Sequence, residues 1–378
     1  MYIPAWSPLN PTVFLARSQT AAHMPYPLAE RHAARFYLAR MGVYALFTAL
    51  IKHGVDTVLV PDYHGGNELR AIRAAGMRVV FYSINHRLAP DLDELSRLIK
   101  DGGIGAIYVI HYFGWPQAIE EILSLCTKRG ILVVEDCSLS FLSRLGNRPL
   151  GAFGDYAVFS LYQTLPLPNG GVIVQNRHDL PELDIPSAAR CSMLSVLGRS
   201  SELLLTWIRL QSDSLGGMLF GLKGMVGRGL TLAHFERTPV GHTGFDVSKA
   251  GLGMSSVGYF LTRRFDYARI VERRRQNFLL LAERLKGVVP LVRDDLDEGV
   301  CPLFCPILVS DKHKTAQAFQ AAGVEAVEFW NSGDPQAATR QTGAAQFLRR
   351  HVLELPIHQD LSLERVNYIA DRVLAEVG

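Results

Sequence analysis

Asp136 and Ser160 are the side chains whose type and position point most directly to chemistry. Asp136 closes the run Val133-Val134-Glu135-Asp136. A carboxylate at the C-terminal end of a buried parallel strand sits where open α/β sheets bind ligands. A helix-capping or ion-paired aspartate has the same local pattern. Gly151-Ala152-Phe153-Gly154-Asp155 follows, then Ala157-Val158-Phe159-Ser160. A strand-end serine can donate to a phosphate that also takes N–H groups from a helix N-terminus. It can equally be a turn hydroxyl bonded to nearby backbone. The turn Pro168-Asn169-Gly170-Gly171 lets the chain return close to the same place.

The elements that must position these residues alternate. Apolar spacing predicts a helix over residues 31–52, ending at His53-Gly54. Strands are expected at 57–60, 78–82, 106–110 and 131–135, and helices at 67–75, 91–100 and 118–129. That order implies a mostly parallel sheet with helices on both faces. Strands at 156–160 and 171–175 flank a Pro/Gly-rich turn. Residues 187–235 read as helical, apolar and glycine-dotted. A long helix over 255–286 leads to a second unit with strands at 303–309 and 327–330 and helices at 312–322 and 363–377. The division expected is a large domain over 1–255, with 187–235 as a helical insertion. The connecting helix and a smaller C-terminal α/β domain take 256–378.

The 378 residues suffice for one large domain and a smaller one. A net charge of +3 gives no reason to expect a nucleic-acid partner, which needs a concentrated basic face. The run Arg273-Arg274-Arg275 reads as a solvated helix face. Cys301 and Cys305 have no second pair or histidine at zinc-site spacing, so the five cysteines read as reduced thiols of a cytoplasmic protein. No signal-peptide pattern and no membrane-spanning run is expected.

Taken in order, the motifs resemble the DegT-type sugar aminotransferases, a branch of the fold-type-I pyridoxal-phosphate (PLP) enzymes. Pro61-Asp62-Tyr63 resembles that family's Pro-Ser-Phe/Tyr, and His111-Tyr112-Phe113-Gly114 its His-Leu-Tyr-Gly. Glu135-Asp136 resembles its strand-end Glu-Asp. Gly151, Gly154-Asp155 and Phe159-Ser160 are similar to its Gly-x-x-Gly-Asp and Phe-Ser. Met254-Ser255, Leu355-Pro356-Ile357-His358 and Leu361-Ser362 resemble its later segments. The resemblance implies a fold-type-I PLP-transferase-like large domain and a homodimer. It implies a small-molecule sugar-type substrate, typically a nucleotide-linked keto-sugar in polysaccharide, lipopolysaccharide or antibiotic pathways. It further implies that Asp136 pairs with the cofactor's pyridine nitrogen and Ser160 with its phosphate. Gly42 falls at the family's phosphate loop. Tyr63 or His64 falls near an aromatic that stacks on the ring, with strand-end packing as the equal alternative.

One departure changes the expected chemistry. The related pattern Phe-Ser-Leu-x-Lys-x-Leu-Pro reads here Phe159-Ser160-Leu161-Tyr162-Gln163-Thr164-Leu165-Pro166. Gln163 stands where the family's Schiff-base lysine is expected, and no lysine occurs between Lys128 and Lys223. An amide has no basic lone pair for covalent attachment and no proton to shuttle near neutral pH. It can still hydrogen-bond a cofactor held without a covalent link. Leu139, Met41 and Val43 also replace polar side chains of the family. Lys249, read as a surface lysine, is an alternative amine, and His111 and His64 are alternative bases. The apolar stretch 187–235 reads as dimer contact or substrate lid, with an interfacial membrane helix as the alternative. Three readings result. The chain is an aminotransferase-like protein holding PLP or pyridoxamine phosphate noncovalently, or a non-catalytic partner of an active relative, or an inactivated Lys-to-Gln variant.

Overall fold

Five-residue apolar runs between helices leave both faces of each strand to be covered. The computed structural model describes residues 1–30, 33–177, 180, 189–232, 245–331, 333–334 and 343–377, without the side chains of 223–232. Its elements in chain order begin β1 (Ala34–Phe36), α1 (Ala39–Lys52), β2 (Thr57–Pro61), α2 (Asn67–Ala74), β3 (Arg78–Tyr82) and α3 (Leu92–Asp101). Next come β4 (Ala106–Ile110), α4 (Ile119–Thr127), β5 (Leu132–Asp136) and the small hairpin β6 (Arg144–Leu145) and β7 (Arg148–Pro149). β8 (Tyr156–Ser160), α5 (Leu161–Thr164) and β9 (Gly171–Gln175) complete the large sheet. α6 (Met193–Gln211), α7 (Asp213–Leu232), α8 (Ser256–Thr262) and α9 (Tyr267–Leu285) follow. The C-terminal part adds β10 (Phe304–Leu308), α10 (Lys312–Ala321), α11 (Gly343–His351), β11 (Val352–Pro356) and α12 (Leu363–Val377).

The large sheet has the order β1-β9-β8-β5-β4-β2-β3. Strands β3, β2, β4, β5 and β8 run parallel, while β9 is antiparallel to β8 and to β1. Every residue of β2, β4 and β8 is buried, as a sheet covered on both faces requires. The smaller unit pairs β10 with β11 antiparallel. The first residues of the N-terminal segment pack on this unit, while Leu9, Val13, Tyr26 and Leu28 pack against Phe159 and Val172 of the large sheet. Ile3 bridges Val324, Tyr2 Oη donates to Glu325 Oε1 at 2.9 Å, and Ser7 Oγ donates to Asp360 Oδ2 at 2.6 Å.

Three expected elements differ. Residues 34–36 form β1, pairing with β9 at the sheet edge, and the helix begins at Ala39. The helix expected over 255–286 is two helices. The Ser255 side chain caps α8, and the Asp266 side chain accepts from Arg269 N–H and starts α9 anew. Residues 327–330 form a single bridge, Val327 to Glu354. Past it the Phe329 N–H donates to the Glu354 carboxylate, and Trp330 turns to a φ of 56°, so no ladder extends. Residues 193–211 and 213–232 are helical as expected, whereas 187–188 and 233–235 lie outside the described residues. No helix of the described residues is long and apolar enough to cross a membrane.

Candidate functional site

Strand register decides which side chains can meet. Ile110 pairs with Asp136, Asp136 with Val158, and Ser160 with Gly171. Side chains two apart on a strand share a face. Tyr108, Asp136 and Ser160 therefore lie on one face, with Ser160 roughly 7 Å along the strand from Val158. Glu135 and His111 fall on the other.

Asp136 ends β5 and is buried. Its Oδ2 accepts from Tyr108 Oη at 2.6 Å and its Oδ1 from the Ser138 N–H at 2.8 Å. Burial raises the Asp136 pKa, and the hydrogen bonds from Ser138 and Tyr108 oppose the rise. A cation docked beside it would supply the opposite charge that burial denies. Glu68 lies close enough to act on the same field. Its Oε1 accepts from the Gly65 N–H at 2.7 Å, and burial followed by Asp136 raises its pKa.

Ser160 is buried and its Oγ has no hydrogen-bond partner. Beside it, a Cβ on Gly171 would fall 2.4 Å from the Ala39 nitrogen. The N-terminus of the 14-residue helix α1 thus abuts the strand end that carries Ser160. Helix starts offer N–H groups with no carbonyl one turn back and a partial positive charge. Gly42, the fourth residue of α1, has a steric part in this: its Cβ would lie 2.7 Å from Ile173 Cγ1. Its smallness lets α1 lie on β9. Gln163 sits on α5, one turn beyond Ser160, and its Oε1 is buried without a partner.

The other motif residues have different surroundings. Glu135 accepts from the N–H groups of Gly151, Phe153 and Gly154 and from His111 Nε2. The Gly151–Asp155 segment is therefore the cap of a buried carboxylate, and the Asp155 side chain accepts from Val133 N–H. His111 Nδ1 accepts from the Gln117 N–H, so both ring nitrogens are engaged. Glu135, His111 and Cys137 stand within 4.8 Å of one another, but four donors already occupy the carboxylate. Tyr63 and His64 lie at the seam with the C-terminal part. Arg349 donates to the carbonyls of Asp62 and His64, and Trp330 packs edge-on to Tyr63 at 4.9 Å. His64 stacks on Phe81, and burial followed by Arg349 lowers its pKa to about 3. Lys249 pairs with Asp246 at 3.4 Å and is 36% exposed. Leu139 and Met41 are buried in the main core.

Tyr108, Glu68, Arg274 and Arg349 escaped the sequence reading. Tyr108 sits inside an apolar strand and looks like core; its two-residue offset from Ile110 carried the only signal. Arg274 is fully buried and donates to Thr164 O, Leu303 O and Gln359 Oε1, tying the Gln163 turn to the C-terminal part. It lay hidden in a run read as a solvated face.

A phosphorylated aromatic cofactor fits the residues present. Ser160 Oγ is an orphaned buried polar atom on a face that also holds a buried carboxylate and a helix start, and Gln163 Oε1, likewise orphaned, follows on α5.

The sequence profile of the DegT/DnrJ/EryC1/StrS aminotransferase family matches residues 30–203. The GDP-perosamine synthase of Escherichia coli O157:H7 is 30% identical over 141 residues, 36% of this chain and 38% of that protein. The matched stretch thus spans well under half of the curated relative. The GDP-4-keto-6-deoxy-D-mannose 3-dehydratase of Escherichia coli O55:H7 is 26% identical over 128 residues, 33% of each chain. Helicobacter pylori PseC, an aminotransferase involved in the biosynthesis of pseudoaminic acid, superposes with a TM-score of 0.70 at 17% identity, covering 99% of both chains. That likeness shows the fold.

Proposed function

We propose that the chain, whose residues 30–203 match the DegT/DnrJ/EryC1/StrS aminotransferase family, binds PLP or pyridoxamine phosphate noncovalently and acts on a nucleotide-linked sugar. The observation that carries this reading is the shared face of Asp136, Ser160 and the start of α1. Bound there, the cofactor would supply an electron sink once its ring nitrogen is protonated. Asp136 would hold that proton's positive charge, and Tyr108 and the Ser138 N–H keep its carboxylate oriented. Ser160 and the α1 N-terminus would take the phosphate. Gln163 replaces the attaching lysine and would offer only a hydrogen bond. The relatives' names, a GDP-perosamine synthase and a GDP-4-keto-6-deoxy-D-mannose 3-dehydratase, support a nucleotide-linked sugar as the substrate. We expect a homodimer, which sedimentation velocity at two concentrations tests; a monomer at both would remove that part.

A second reading has its own support: the absent lysine and the apolar Leu139 and Met41 suit a non-catalytic partner of an active relative. An introduced Lys-to-Gln change at 163 is the third, and the native coding sequence decides it. Equilibrium binding of PLP and of pyridoxamine phosphate separates the first two. Binding abolished by Asp136→Ala supports a working cofactor site. Failure of both forms to bind sinks it in favour of the partner role.

A further inference from the structure

A cavity of about 600 Å³ lies between the N-terminal segment, Pro166, α6, the α8–α9 corner and the loop after β11. Its lining includes none of Asp136, Ser160 or Gln163. The volume is in the usual range for small-molecule pockets. Three arginines line it: Arg264, Arg269 and Arg273. Arg269 and Arg273 are four apart on α9, a spacing that puts both on one helix face.

None of the three pairs with a carboxylate among the described residues. Arg264 donates to Phe260 O at 2.9 Å and covers the Phe260 ring. Arg273 donates to Leu361 O at 2.5 Å and to Gln276 Oε1 at 3.3 Å. Two acids, Asp266 and Asp360, share the lining, each held by a neutral donor. Asp266 caps α9 through the Arg269 N–H at 3.0 Å. Asp360 Oδ2 accepts from Ser7 Oγ and stands 3.8 Å from His358 Nδ1. Three arginines against two aspartates leave the lining one formal positive charge in excess, which an anion would balance. Guanidinium forks match phosphate oxygens in pairs. Trp207 adds a flat apolar wall for the rest of a ligand.

We propose that this cavity is a second ligand site, taking a small molecule that carries two or more phosphates. The site does not depend on the cofactor reading. Inorganic pyrophosphate titrated into the full chain by calorimetry is the probe. Binding is expected, weaker at high salt, and Arg269→Glu should reduce affinity at least about tenfold. Arg269 is the variant of choice because its side chain holds no structural hydrogen bond among the described residues. Ser160→Ala is the control and should leave this binding unchanged. Loss of binding in Ser160→Ala with retention in Arg269→Glu would place the anion at the strand-end site and overturn the proposal. So would equal affinity in all three proteins, or no binding at millimolar pyrophosphate.

Discussion

On the proposed reading, Gln163 is the residue on which the chemistry turns. Its amide oxygen is buried without a partner on the turn just past Ser160. Gln163→Lys puts an amine of similar reach at that point. PLP followed by hydride reduction should then leave a mass gain of one cofactor mapped to position 163, and none in the parent chain. An unmodified lysine variant would mean that position 163 does not face the cofactor, and the carry-over from the family would fail there. The strand-end positions of Asp136 and Ser160 were legible because each polar residue closes a short apolar run. The surroundings of Tyr108 and Glu68 were not, because sheet register sets the neighbour of the first, and the second lies on α2 and nears Asp136 only in the folded chain. A tyrosine in an apolar strand announces burial, and its hydroxyl finds Asp136 only once β4 and β5 are paired.

Among the elements, the start of α1 against β9 gives the proposed anion cradle its shape. Gly171 permits it, since a Cβ there would meet the Ala39 backbone at 2.4 and 2.5 Å. Backbone cannot swing aside as a side chain can. Gly171→Ala should therefore cost about 1–3 kcal/mol and weaken pyridoxamine phosphate binding. Gly198→Ala, where a Cβ meets nothing within 4 Å inside α6, should be stabilising by roughly 0.5–1 kcal/mol. Urea midpoints of the two variants test this, and equal midpoints would show that α1 shifts freely. The parallel strands and their helices were readable from apolar periodicity. The first strand was not, because Ala34-Arg35-Phe36 has no pattern of its own and gains its identity from β9. The break between α8 and α9 was written in Ser255 and Asp266, both good caps, but the apolar spacing runs through it.

At the scale of the whole molecule, the seam between the large sheet and the C-terminal part joins segments nearly 300 residues apart. Such contacts leave no local trace: Arg349 reaches the 62–64 loop, and Tyr2 reaches Glu325, only in the folded chain. His64 sits in that seam, fully buried, with neither ring nitrogen hydrogen-bonded. Burial comes first among the causes that lower its pKa to about 3; the cations of Arg349 and Arg73 add to it and Asp334 opposes them. The unfolded chain takes up a proton there near pH 6.5, whereas the native chain does so only near pH 3. Between those values the unfolded state binds more protons, so stability rises with pH. The contribution is complete above about pH 6.5 and is lost as pH falls through the window. At pH 5 the loss is about 2 kcal/mol, from 1.5 units of separation. His64→Phe removes the titrating group and keeps a ring to stack on Phe81. Its stability relative to the parent should therefore improve by about 2 kcal/mol between pH 7 and pH 5. Carboxylates titrating elsewhere act on both proteins alike and cancel in that difference. Urea unfolding of parent and variant at the two pH values measures it, and parallel losses would mean that His64 is protonated in the folded protein.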